Sequence, residues 1–320
     1  MRNALAAITL LALAVPAAGA PLLELPVDCE PDNTCYIQQF MDHDPSDQFQ
    51  DFRCGPQSYD THKGTDFAVA TTREAQQGID VIASAAGTVL GVRDGMPDVW
   101  DGKFDAKAIK GRDCGNGLVI DHGDGWHTQY CHMKQGSLAV QKGAQVETGA
   151  LLGQIGMSGR TEFAHLHLSV RKDGQPIDPF APEGANCASP NTTTLWKDPP
   201  MQQAGGILDI NFSDAVPTFT QVRMGTAARK LTRISPALVS YFLMFGGQKG
   251  DVIKMTFEGP GNIRVSDTYT LPKNRAQFFR AIGKKRRSAP WPAGIYSAIA
   301  QHTRGGEVLS LKEALFEIPR

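Results

Sequence analysis

Between residues 61 and 182 the chain is built from short apolar runs of period two, GTDFAVA, DVIASAAGTVLGVRD, GLVIDHG, WHTQYCHM, ALLGQIG and AHLHLSVR, most of them bounded by glycine. Period two puts every second side chain on one face of a strand, whereas an amphipathic helix repeats near 3.6. Glycine at such short intervals favours turns and opposes helix. The pattern excludes a helical bundle and predicts an all-β barrel or sandwich. A second series follows at 205–320: ILDINF, ALVSYFLMFG, DVIKMTFEGP, NIRVSDTYTL, RAQFFRAI, AGIYSAIAQH and EVLSLKEALFEI. Seven strand candidates in a segment of that length predict a smaller, immunoglobulin-like β-sandwich. The polar stretch GMPDVWDGKFDAKAIKGRDC at 95–114 reads as a surface loop, and residues 183–204, rich in Pro, Asn and Thr without apolar period, read as a linker.

The first twenty residues, MRNALAAITLLALAVPAAGA, have the basic start, apolar run and small-residue end of a secretory signal peptide, with the cleavage position left open by Pro21. No later segment reaches about 18 consecutive apolar residues, so no transmembrane segment is expected. Export governs the reading of the six cysteines at 29, 35, 54, 114, 131 and 187: an even set in an oxidising compartment predicts disulfides. Cys114 and Cys131 form the pair that local structure singles out, because GNGLVIDHGDGWHTQYC reads as two strands around the turn Gly123-Asp124-Gly125. Residues 21–60 hold three of the cysteines in Asp-rich text and read as a mostly irregular extension tethered by disulfides. With 32 basic and 33 acidic residues, the formal net charge of −1 offers no long-range attraction to nucleic acid.

Four of the eight histidines fall in three short motifs of the first series. THKGTDFAVA sets His62 and Asp66 four residues apart around Gly64. At the entry to a strand an even separation returns both side chains to one face, and Gly64 permits a tight turn. QYCHM carries His132 after Tyr130, and AHLHL places His165 and His167 on one face of a strand. Two imidazoles and one carboxylate leave the fourth position of a tetrahedral zinc ion to water, and the retained charge of about +1 lowers the pKa of that water towards ~7. Two of the four histidines then remain for proton transfer, and spacing alone does not select which two.

These motifs and the text joining them resemble the lysostaphin and LytM-type zinc endopeptidases, which cut peptide bonds in bacterial peptidoglycan. The resemblance runs over residues 61–182: HKGTD, then VIASAAGTVLGV, then GNGLVIDHGDGWHTQYCHM ending in Tyr-x-His, then VQKGAQVETGALLGQIGMSGRT, and AHLHL for the family's H-x-H. It implies a LytM-like β-barrel-sandwich with a groove, Zn²⁺ held by His62, Asp66 and His167, and His132 with His165 as the catalytic pair beside the water. It further implies an endopeptidase whose partners are peptidoglycan stem peptides or cross-bridges. Taken with the cysteines and the expected export, it points to the periplasm of a Gram-negative bacterium. The family usually has Pro before its H-x-H and Phe-Glu after it; here Ala164 precedes, and Leu168 and Ser169 follow. Those differences change the packing around the five positions and leave the positions themselves filled.

The alternative reading is a non-catalytic envelope protein that binds peptidoglycan or activates another wall hydrolase; the resemblance implies that such members lack metal ligands. A biotinyl- or lipoyl-carrier hairpin, suggested by KGAQVETG, lacks a lysine on an exposed turn between apolar residues. The remaining histidines read as structural: His122 and His127 beside the hairpin turn, His43 among aspartates with a ligand role as its alternative, and His302 on the surface of the second series. Tyr59 reads as a packing or surface residue, with donation to an oxyanion as its functional alternative. Gly283-Lys284-Lys285-Arg286-Arg287 reads as a solvated loop, with contact to an anionic polymer as its alternative.

Overall fold

The computed structural model describes residues 19–30, 34–185, 187–188, 193–200 and 202–320; residues 1–18 of the expected signal peptide lie outside them. The first series forms β1 (Cys35–Gln39), β2 (Thr65–Val69), β3 (Asp80–Ile82), β4 (Gly87–Arg93), β5 (Asn116–Gly123), β6 (Trp126–Met133), β7 (Gln145–Val146), β8 (Leu151–Gln154), β9 (His165–Lys172) and β10 (Gln175–Ile177), with one short helix, α1 (Thr72–Gln77). The main sheet runs β1-β2-β9-β6-β5-β4-β7, β10 pairs with β9, and β3 pairs with β8. Period two is visible along β9: Leu166, Leu168 and Val170 enter the core with Phe67, Ile120 and Tyr130, so His165, His167, Ser169 and Arg171 lie on the opposite face.

Two segments with little apolar period contribute to this core. From 21–60, Leu23, Val27, Phe40 and Phe52 are buried in it and Cys35–Gln39 forms edge strand β1; from 183–204, Leu195 and Trp196 are buried and Trp196 bridges to Leu23. Isolated apolar residues in Pro- and Asp-rich text carry no periodic signal, which is why composition alone suggested irregular chain there. Three disulfides staple the arrangement: Cys29–Cys35, Cys54–Cys187 and the expected Cys114–Cys131. The stretch 95–114 is irregular, and Asp98 anchors it by accepting from the Met157 and Gln135 amides at 2.6 and 3.0 Å.

The second series forms β11 (Gly206–Ser213), α2 (Phe219–Arg223), β12 (Ala237–Gly247), β13 (Val252–Gly259), β14 (Ile263–Thr270), β15 (Arg275–Lys285), β16 (Gly294–Arg304) and β17 (Glu307–Ile318). Sheets β11-β12-β15 and β14-β13-β16-β17 face each other across a core that includes Phe212, Phe242, Met244, Phe257 and Tyr296. The sandwich has the strand number of a constant immunoglobulin domain, but its fourth strand pairs with the third rather than the fifth. His302, expected on the surface, is fully buried: its Nε2–H donates to Asp251 Oδ2 at 2.7 Å, and Arg304 grips the same carboxylate through Nε at 2.8 Å and Nη2 at 2.7 Å. The partner that makes its burial tolerable is 51 residues away, beyond the reach of local pattern.

This sandwich rests on the outer face of the main sheet, beside the histidines. The Tyr36 ring lies 4.4 Å from that of Phe245, Gln38 Nε2 donates to the Ala276 carbonyl at 2.9 Å, and Arg223 Nη1 donates to the Glu162 carbonyl at 2.6 Å.

Candidate metal centre

Antiparallel pairing of β2 with β9 makes Asp66 and His167 register partners, and His62 approaches from the loop entering β2. Asp66 Oδ1 lies 2.9 Å from His167 Nδ1 and 3.1 Å from His62 Nε2, and those two nitrogens are 3.1 Å apart. Gly64 serves a close approach here rather than a left-handed turn. A Cβ at this position would stand 2.5 Å from the Leu168 carbonyl oxygen and 2.7 Å from His167 Nε2, so any side chain would displace the ring.

Neighbouring groups determine which nitrogens are bare. His62 Nδ1–H donates to the Phe40 carbonyl at 2.6 Å, leaving Nε2 as a lone pair. Ser169 Oγ donates to the Lys63 carbonyl at 2.9 Å, so it accepts from His167 Nε2–H at 2.9 Å and leaves His167 Nδ1 bare. Two imidazole lone pairs and a carboxylate oxygen therefore converge with no proton assigned between them, a set that attracts a cation. Tetrahedral zinc with bonds of about 2.0–2.1 Å needs ligand atoms roughly 3.3 Å apart, close to the spacing found. His62, Asp66 and His167 thus fit a tetrahedral divalent ion.

Asp66 draws positive charge towards this set. Burial opposes the His62 imidazolium, but the charge and contact of Asp66 outweigh it and hold His62 above its ordinary range. Burial likewise opposes the Asp66 carboxylate, yet His62, His165 and His167 together hold it well below the carboxylate range. Burial and the neighbouring imidazoles push His132 well down, and burial pushes His167 down against the pull of Asp66.

His132 reaches the site by breaking strand periodicity. Cys131 is the register partner of His167, so strict alternation would send His132 into the core with Tyr130. Its φ of 62° instead turns the ring to centroid distances of 4.8 Å from His165 and 6.0 Å from His167. A left-handed conformation costs a non-glycine residue about 1–2 kcal/mol. Three hydrogen bonds hold it: His132 N–H to the Cys114 carbonyl at 2.8 Å, Gly156 N–H to the His132 carbonyl at 3.0 Å, and His132 Nδ1–H to the Ser158 carbonyl at 2.8 Å. Nε2 of His132 is left bare. His165 is buried, its Nδ1–H donating to the Phe163 carbonyl at 2.9 Å and its Nε2 lying 3.4 Å from Asp66 Oδ1.

The profile of peptidase family M23 matches residues 60–179, the segment that contains all five of these side chains. The chain carries a peptidase family M23 domain. Over 120 residues it is 34% identical to the DD-carboxypeptidase/endopeptidase Mpg of Neisseria meningitidis, covering 38% of this chain and 22% of that protein. Over 117 residues it is 30% identical to the peptidoglycan DD-endopeptidase ShyA of Vibrio cholerae, covering 37% of this chain and 22% of that one. The chain thus spans 22% of the length of either relative. Among solved structures, a zinc-containing peptidase from Vibrio cholerae superposes with a TM-score of 0.32 at 23% identity, covering 51% of this chain and 39% of that chain.

A cleft of about 260 Å³ opens over the centre of the M23 domain, with Tyr59, His132, Arg160 and Arg171 in its walls. The residues 21–60 and 95–114 border it through Tyr59 and through Cys114 at the end of the loop. Lys63, Arg160 and Arg171 bring three cations against one carboxylate, Asp113, which already pairs with Arg160 at 3.1 Å. Tyr59 stacks on His62 at 4.3 Å and is 47% exposed. The other histidines lie elsewhere: His43 Nε2 pairs with Asp178 Oδ2 at 2.7 Å, His122 lies between the Ala86 carbonyl and Thr128, and His127 lies 3.7 Å from Asp121.

Sequence reasoning missed the residues that orient the histidines. Ser169 was visible only as two positions beyond His167 on the same face of β9. The carbonyls of Phe40, Ser158 and Phe163 left no trace, because backbone acceptors have no residue signature.

Proposed function

We propose that this protein is a zinc-dependent endopeptidase that hydrolyses peptide cross-links of bacterial peptidoglycan. The observation that carries the reading is the convergence of His62 Nε2, His167 Nδ1 and Asp66 Oδ1 within 2.9–3.1 Å, their tautomers set by Phe40 and Ser169, with two further imidazoles alongside. The names of the M23 relatives supply the substrate class, and the cationic cleft suits the carboxylates of peptidoglycan peptides.

His62, Asp66 and His167 would hold Zn²⁺, which supplies a Lewis acid and lowers the pKa of a water molecule. His132 accepts a proton through its bare Nε2 at the cleft wall, and its depressed basicity keeps that nitrogen unprotonated beforehand. His165, locked by the Phe163 carbonyl, turns Nε2 into the site, where once protonated it donates to the negative charge that develops on the substrate oxygen and shares in proton transfer. The expected leader and the disulfides support an activity outside the cytoplasm, in the periplasm; among the described residues no helix is long and apolar enough to cross a membrane.

Purified protein incubated with intact peptidoglycan, with zinc and after chelation, should deplete cross-linked muropeptides only when metal is present, and His167→Ala should abolish the loss. Identical muropeptides from wild type and His167→Ala in the presence of zinc would replace the enzyme by a wall-binding protein.

A further inference from the structure

The metal cleft continues past Tyr59. The same residue lines a second groove of about 240 Å³, between residues 38–59 and the sandwich. Gln39 of β1 forms part of this groove and is the register partner of Asp66, so the groove begins one strand, or roughly 5 Å of backbone, from the metal centre. Its far wall comes from Gly247, Asn274 and Arg275, where β12 and β15 meet.

Half of the polar side chains lining the groove are committed within the protein. Gln38 Nε2 donates to the Ala276 carbonyl, Gln57 Nε2 donates to the Ile37 carbonyl, and Asn274 Oδ1 accepts from the Lys249 amide. Arg275 and Gln39 are among those that are not. Arg275 is exposed and has neither an ion pair nor a side-chain hydrogen bond among the described residues. Gln39 is buried, and its Oε1 has no hydrogen-bond partner. Phe49 and Tyr59, 41% and 47% exposed, add aromatic surface to the walls. An unpaired guanidinium, an amide lacking a donor and two aromatic rings suit an extended peptide that carries a carboxylate: Arg grips the anion, Gln39 can turn its carbonyl onto a peptide N–H, and the rings cover the stem.

We propose that this groove is a second substrate subsite, which takes the acidic stem peptide adjoining the bond presented to the metal centre, with Arg275 binding one of its carboxylates. The identity of the peptide rests on the peptidoglycan reading above, whereas the existence of the subsite rests on the groove. The sandwich is then half of the substrate site, and its docking through Tyr36, Phe245 and Gln38 keeps Arg275 in register with the metal cleft.

The test is calorimetric titration of the full chain with a synthetic stem tripeptide, alanyl-γ-D-glutamyl-diaminopimelate, and with its fully amidated form. Wild type should prefer the acid. Arg275→Gln should weaken acid binding by about tenfold or more and leave amide binding unchanged, and Arg275→Lys should restore part of the loss. Unchanged binding in Arg275→Gln, a wild type that fails to prefer the acid, or a loss confined to Arg171→Gln would each overturn the subsite. The same samples separate this idea from the parent one: Arg275-dependent binding without muropeptide hydrolysis sinks the peptidase reading alone, and hydrolysis with an unaltered KM in Arg275→Gln sinks the subsite alone.

Discussion

Ser169 is the most economical place to test whether tautomer control makes the metal centre. Its hydroxyl links two groups, accepting from His167 Nε2–H and donating to the Lys63 carbonyl, both at 2.9 Å, and the residue is 2% exposed. Ser169→Ala removes both bonds and leaves His167 Nε2–H and the Lys63 carbonyl without this partner, while His62, Asp66 and His167 remain. Outer partners of metal-bound histidines typically contribute 10–100-fold in affinity, so zinc binding should weaken by about 1.4–2.7 kcal/mol. The metal-free protein should lose a further ~1–3 kcal/mol of stability from the two lost bonds. Competition with a chromophoric chelator measures the first quantity and urea unfolding in chelator the second. Ser169→Thr, which keeps the hydroxyl, should recover most of the affinity. Zinc affinity in Ser169→Ala within a factor of two of wild type, despite a drop in stability, would refute the reasoning and leave Ser169 as a packing residue.

His132→Gln should lower kcat by roughly 10²–10⁴-fold while retaining one zinc per chain, and loss of the zinc would move His132 from proton transfer to ligation. Replacing Cys114 and Cys131 together by serine opens a link with a sequence separation of 17 and should cost about 3 kcal/mol. Because the Cys114 carbonyl accepts from His132 N–H, kcat of that double variant should fall even at temperatures where it is fully folded. Acid should loosen the sandwich early. Burial, partly offset by Asp251, lowers the folded His302 pKa below its unfolded 6.5, so this contribution is complete above that pH and is lost as pH falls from 6.5 through the lower folded value. Asp251 is also lowered, against its burial, by Arg304 and His302, so its contribution is present above its unfolded 3.8 and is lost as pH falls through the still lower folded value. Hydrogen exchange of β16 amides at pH 8, 6 and 5 should accelerate more in wild type than in His302→Gln, and equal pH dependence would discard this account.

Each of the seven runs beyond residue 205 coincides with a strand, and the period-two text of 161–170 placed His165 and His167 on one face. Both were legible because a strand's two faces are written in adjacent residues. The choice of His62, Asp66 and His167 as a set came from the family resemblance and not from spacing, since Asp66 and His167 meet only through the pairing of two strands remote in the chain. Periodicity would have misplaced His132, because a single left-handed residue reverses the face and no residue type announces it. Composition likewise misjudged Leu195, Trp196 and His302, whose partners are remote in the chain.

The sequence by itself determined that strands would form, that cysteines would pair and that imidazoles and a carboxylate would be available at one sheet. Those properties are local: alternation, turn chemistry and residue type act within a few positions. Tertiary structure alone decided which imidazole nitrogens are bare, how His132 enters the site and that the sandwich borders the second groove. Each of these depends on a carbonyl, a hydroxyl or a surface brought in from elsewhere in the chain, and a backbone carbonyl looks the same in every residue until folding gives it a neighbour.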